Sequence, residues 1–167
     1  GMTWSELLTL GFNKAQLTAL EKKQLIYSET RAATLFKWQA QALQQANRLE
    51  LSAEQAIIVA TMKEMQAQFS CHLIDGITGS GKTEVYLQAI EQVLAKSQQV
   101  LVLVPEIGLT PQTLSRFEQR FNVPISLHHS GLNDKERLQT WLAAQRGSAA
   151  IVIGTRSAIF TPLHDLG

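Results

Sequence analysis

A chain of 167 residues that is 45% hydrophobic can build one ordinary globular core with room for a small appendage. Lys+Arg 15 against Asp+Glu 14 leaves a formal net charge of +1, which excludes a global basic field, so any nucleic-acid contact must be local. The single Cys71 excludes an internal disulfide, no Cys/His cluster has zinc spacing, and no run approaches the roughly 18 uninterrupted apolar residues of a membrane span.

The N-terminus also lacks the basic region and apolar core of a signal peptide, so the expected setting is a reducing cytoplasm with no membrane attachment. Cys71 is expected to pack as a small apolar residue. Gly1 ahead of Met2 reads as a remnant of tag removal and Gly167 follows an apparent loop, so the sequence is expected to be a piece of something longer.

In chain order, residues 3–28 predict a short helix, a break at Gly11, a second helix capped by Asn13 and a strand-like Leu25-Ile26-Tyr27. This is a helix-turn-helix leading into a strand, as at the end of a winged-helix unit. Ala15, Leu17 and Leu20 can face a small core while Lys14, Lys22 and Lys23 stay in water. Two readings stand level here, one in which the unit reads DNA and one in which it only packs. Residues 31–50, rich in Ala and Gln, predict a partly helical linker. Ser52-Ala53-Glu54-Gln55 matches a capping box and opens a helix over residues 53–66.

Strand and helix then alternate. Residues 71–74 form a short apolar run, 82–96 a helix, 100–104 an unbroken β-branched run, and Thr110-Pro111 caps another helix. Residues 125–127, 134–144 and 150–153 continue the pattern. The prediction is an α/β fold, a largely parallel sheet with helices on both faces and ligands at the carboxyl ends of its strands.

Gly76-Ile77-Thr78-Gly79-Ser80-Gly81-Lys82-Thr83 satisfies G-x-x-x-x-G-K-[ST], between a predicted strand and a predicted helix. Glycines permit the tight turn that aims successive amides, and the positive end of the next helix, at phosphate oxygens. Lys82 supplies a point charge to the outer phosphates. The Thr83 hydroxyl suits a magnesium ion bridging them. ATP with magnesium is the predicted ligand, and Lys82 and Thr83 are the predicted catalytic pair. A glycine-rich turn merely joining strand to helix is the weaker reading.

The loop continues as Glu84-Val85-Tyr86, and further blocks read Val104-Pro105-Glu106-Ile107-Gly108-Leu109-Thr110-Pro111-Gln112, His129-Ser130-Gly131-Leu132 and Gly154-Thr155-Arg156-Ser157-Ala158. Together these resemble the primosomal protein N′ (PriA) family of replication-restart superfamily 2 DNA helicases, over residues 51–167. The resemblance implies a P-loop NTPase (RecA-like) first helicase lobe over 51–167, preceded by a winged-helix remnant over 1–30 and the linker. It implies a 3′ to 5′ helicase that remodels forks and helps load the replicative helicase. The partners would be single-stranded and forked DNA, primosome proteins and single-strand binding protein, with the protein a monomer in a bacterial cytoplasm.

By the same resemblance Glu84 joins the ATP-binding loop, and Gln55 matches a glutamine that reads adenine, beside its plain capping role. Pro105, Glu106, Gly108 and Thr110 match a motif lining a single-stranded DNA track, against an ordinary strand-to-helix turn. Thr155 and Arg156 match a G-T-R motif that binds DNA phosphates, against a capped surface loop. His128, His129 and Ser130 end a strand, where packing or solvation is favoured over a coupling role. Trp4, Trp38 and Trp141 are favoured as packing residues over base-stacking ones.

The family's acidic Asp-Glu pair, arginine finger, second lobe and zinc-binding cysteines are not among these residues, so zinc is expected only elsewhere in the parent protein. The chain alone is expected neither to hydrolyse ATP efficiently nor to unwind DNA. Two rivals stand beside this reading. One is another superfamily 2 translocase, which would share Gly-Ser-Gly-Lys-Thr and Gly-Thr but not Val104-Pro105-Glu106-Ile107. The other is a DNA- or protein-binding module whose P-loop stays unused.

Overall fold

The computed structural model describes residues 7, 9–28, 37–40, 48–65 and 68–167, and the chain divides into two compact units, 1–34 and 35–167. In the first unit, Gly11 at φ +90 makes the turn into α1 (Lys14–Lys22). Asn13 and Gln16 cap α1 reciprocally, each side chain accepting from the other's backbone N–H at 2.9 Å. Leu17 is buried while Lys14, Lys22 and Lys23 are in water, but Ala15 is exposed rather than packed. The strand expected at residues 25–27 is a bend with Leu25 and Tyr27 largely exposed. An apolar run becomes a strand only where a second strand takes its backbone groups; here Leu25 N–H donates to Leu20 O at 3.1 Å and no described strand pairs with the run. Trp4 and most of the first predicted helix lie outside the described residues.

The second unit runs α2 (Ala53–Glu64), α3 (Lys82–Leu94), β1 (Val100–Leu103), α4 (Pro111–Arg120), β2 (Ile125–His128), α5 (Asp134–Gln145) and β3 (Ile151–Gly154). Short 3-10 helices at Glu106–Gly108 and Arg156–Phe160 follow β1 and β3. Capping sets three of the helix starts. Ser52 opens α2 and Asn133 opens α5, each in a reciprocal box, and Thr110 with Pro111 opens α4.

The sheet is parallel in the order β1-β3-β2, with Val100 and Ile125 both opposite Ile151. The chain leaves β1 over α4, passes the central place to reach β2, and returns over α5 to fill it. Right-handed crossovers made in opposite directions place their helices on opposite faces. The packing agrees. Leu87, Ile90 and Leu94 of α3 and Phe117 of α4 meet Ile151 and Ile153 on one face, while Ala144 of α5 meets Val152 on the other. Trp38, in the stretch predicted as linker, is buried in the first of these clusters, and its N–H donates to Gly147 O at 2.7 Å.

Residues 71–74 correct the sequence reading. They belong to no strand, Cys71 is exposed, and Leu73 is 93% exposed. Apolar composition gave the run its strand signal, yet β1 pairs only with β3 and leaves its other edge unbonded to this segment.

Candidate nucleotide site and strand-end cleft

Residues 76–83 lead into α3 with Gly79 at φ +86 and Gly81 at φ +80, a backbone that side-chain-bearing residues rarely hold. At Gly76 and Gly81 a side chain would also crowd a neighbour. A Cβ on Gly76 would lie 2.7 Å from Ser80 Oγ, and one on Gly81 would lie 2.5 Å from Gln55 Nε2. Ile77, Thr78, Gly79, Ser80 and Thr83 are exposed. Lys82 folds back so that its Nζ donates to the carbonyls of Gly76 and Ile77, the latter at 2.7 Å. Two neutral carbonyls hold an ammonium less strongly than phosphate oxygens would, so an anion can draw Lys82 out of this bond.

Gln55 reaches the loop. Its Oε1 accepts from Ser52 N–H at 2.9 Å, completing the cap of α2, while its Nε2 donates to Ser80 O at 2.9 Å. Capping and contact with the loop are thus performed by the two ends of one amide. Left-handed glycines at a helix N-terminus, a displaceable ammonium and the exposed Thr83 hydroxyl form a donor set that fits a triphosphate with its magnesium. Among the described residues no group of three or more His, Cys, Asp or Glu side chains comes together to hold a metal ion.

Glu84 departs from its expected place in this loop. Its carboxylate is buried and turned away, with Oε1 accepting from Arg120 Nη2 and from Gln88 Nε2, each at 2.8 Å. A carboxylate beside a triphosphate would repel it, and the structure gives this one a cation instead. Arg120 also donates through Nε to Glu91 Oε1 at 2.7 Å, and Arg48 donates to Gln88 Oε1 at 2.9 Å from the rim. The sequence reading missed this network. Its signal was the polar spacing Glu84, Gln88, Glu91 along α3, which looks the same as a solvated face until Arg120 is placed against it.

At the carboxyl ends of the strands lies a cleft of about 320 Å³ lined by Glu106, Leu109, Thr110, Leu127, His129, Ser130 and Thr155, among others. Three of the predicted DNA residues, Glu106, Thr110 and Thr155, are therefore brought together. Arg156 stands beside them, its Nη2 3.5 Å from Glu106 Oε1, with both side chains largely in water. Pro105 and Gly108 shape the connection rather than the cleft wall, Gly108 N–H donating to Pro105 O at 2.8 Å. The Thr110 hydroxyl accepts from Thr113 N–H at 3.2 Å, and Thr155 N–H donates to His128 O at 3.1 Å. No residue of 76–83 lines this cleft.

The histidines serve locally. His129 Nδ1 accepts from Gly131 N–H at 3.1 Å and so forms the turn before α5. His128 has a buried Nδ1 without a partner, and burial, followed by the nearby charges of Arg137 and His129, lowers its pKa below the ordinary histidine value. Trp38 is buried, as a packing residue is, whereas Trp141 is exposed and joins neither core cluster.

A parallel sheet covered on both faces, with a cleft beyond the strand ends, makes this an α/β domain, an architecture consistent with a superfamily 2 helicase lobe. The family model described as "Type III restriction enzyme, res subunit" matches residues 33–166, and the chain belongs to that family. It is 47% identical over 161 residues to the Replication restart protein PriA of Haemophilus influenzae, covering 93% of this chain and 22% of that protein. It is 46% identical over 152 residues to the protein of the same name from Synechocystis (90% and 18%), and 38% identical over 157 residues to that of Bacillus subtilis (93% and 20%). The chain thus spans about a fifth of the length of these relatives.

Proposed function

We propose that the chain is the first motor lobe, with part of a winged-helix unit at residues 1–30 and a linker at 31–50, of an ATP-dependent 3′ to 5′ DNA helicase acting in replication restart. The observation that carries this reading is the loop at residues 76–83, with left-handed Gly79 and Gly81 at the start of α3 and Gln55 bonded to Ser80. The names of the relatives supply the process. Gly76, Ile77, Thr78, Gly79, Ser80 and Gly81 would cradle the phosphates by their amides, Lys82 would neutralise the outer phosphates, and Thr83 would ligate magnesium. Gln55 would meet the nucleotide from the side of α2. Glu84 is not part of this set, because its carboxylate is committed to Arg120.

Single-stranded DNA would cross the strand-end cleft, with Thr155 and Arg156 on phosphates, Glu106 and Thr110 forming the wall, and Pro105 and Gly108 shaping the connection that carries them. Forked DNA, primosome proteins and single-strand binding protein are the proposed partners of the whole protein, a cytoplasmic monomer. Magnesium supplies charge neutralisation at the phosphates when bound. The loop at residues 76–83 is expected to bind ATP with magnesium. Equilibrium titration with magnesium and ATP is the test. Wild type should bind, and Lys82→Ala should lose most of the affinity; equal binding by the two would discard the assignment.

A further inference from the structure

α3 begins at Lys82, so Glu84 stands at its third position, where a carboxylate can turn back onto free amides of the first turn. The three other described helices with Glu or Gln at this position do that. Gln16 bonds Asn13 N–H, Gln55 bonds Ser52 N–H, and Glu136 bonds Asn133 N–H. α3 is the exception, for no side chain caps Gly81. What removes Glu84 is visible. Arg120 and Gln88 hold Oε1 on the inner side of the helix, and Arg120 is itself fixed by Glu91 and by burial to 3% exposure.

We propose that Arg120 is a positioning residue for the phosphate site: by binding Glu84 from α4 it keeps that carboxylate off the positive end of α3, leaving the first-turn amides to an incoming triphosphate. The inference rests on the nucleotide reading of residues 76–83. Its chemistry is competitive. Without Arg120, Glu84 either stays buried with only an amide partner or swings to the nearest strong donors, which are the amides that a phosphate needs. In the second case the helix caps itself and adds a negative charge beside the ligand.

The test is magnesium–ATP titration of the 167-residue chain as wild type, Lys82→Ala, Glu84→Ala, Arg120→Met and Arg120→Met/Glu84→Ala, with thermal midpoints measured in parallel. Arg120→Met is expected to weaken binding about tenfold. The double variant should return to within about twofold of Glu84→Ala even though its thermal midpoint stays depressed. A double variant no better than Arg120→Met, or an Arg120→Met chain that binds like wild type, overturns the proposal. If Arg120→Met does not fold, Gln88→Leu removes the second hold on Glu84 together with the bonds of Gln88 to Arg48 and Leu49 O, and rescue by Glu84→Ala separates the two effects. This variant should weaken binding measurably and be restored by Glu84→Ala, and an unchanged affinity overturns the proposal equally. Wild-type binding that is absent or indifferent to Lys82→Ala overturns the nucleotide reading and this inference with it. Lys82-dependent binding that ignores Arg120 overturns the inference alone.

Discussion

Gly76 and Gly81 both belong to the loop before α3, yet a methyl group should cost them differently. Gly81→Ala forces a left-handed φ of +80 on alanine and pushes Gln55 Nε2 away from Ser80 O. Its expected cost is roughly 1–2 kcal/mol, read as a lowered urea midpoint. Gly76→Ala meets only the end of the Ser80 side chain, which can rotate, so its midpoint should stay within about 0.5 kcal/mol of wild type. Gln99 is the opposite case, a polar side chain whose value lies in complete satisfaction. It is buried at 1% exposure, donates to Ala144 O and Ala149 O at 3.1 and 2.6 Å, and accepts from the N–H groups of His164 and Asp165 at 2.7 and 3.1 Å. Gln99→Leu fits the space but strands three backbone groups, since Ala144 O still accepts from Gly147 N–H, and should cost roughly 3 kcal/mol in the same denaturation experiment. Nothing local in the sequence marks Gln99, since its partners lie 45 to 66 residues away.

At the level of elements, legibility followed the range of the causes. Caps are local, and Asn13, Ser52, Thr110 and Asn133 open their helices as spacing requires. Pairing is not local, and residues 25–27 and 71–74 carry strand composition without a ladder. The end of β2 offers a pH test of such non-local packing. His128 Nδ1 is buried without a partner, Arg137 of α5 and His129 add positive potential, and the folded pKa falls below the ordinary value. The unfolded chain therefore binds a proton more readily than the folded one. Stability is full above about pH 6.5 and is lost as pH falls from there through the lowered folded value. Denaturant midpoints between pH 7.5 and 5.5 should fall more for wild type than for His128→Gln, which has no proton to gain. Parallel slopes for the two would assign the acid sensitivity elsewhere.

For the molecule as a whole, the near-neutral balance of 15 basic and 14 acidic residues puts the burden of any DNA contact on a few groups at the strand ends. The motifs there were readable because glycines, prolines and hydroxyls act through short-range geometry; how they share one cleft was not, because the order β1-β3-β2 is what joins them. Within that cleft Arg156 is balanced by Glu106 at 3.5 Å, in an exposed pair that contributes at most about 1 kcal/mol. A phosphate can therefore take the guanidinium from Glu106 at small cost. Arg156→Ala should weaken binding of an unstructured oligonucleotide equally for every base composition and flatten the salt dependence by about 0.7 in log–log slope. Glu106→Gln should do the reverse to affinity, because it removes both the competitor for Arg156 and a repelling charge while keeping the size of the side chain. Fluorescence anisotropy at two or more salt concentrations decides the matter: Glu106→Gln binding more weakly than wild type would mean that Glu106 accepts from the DNA bases rather than restraining Arg156.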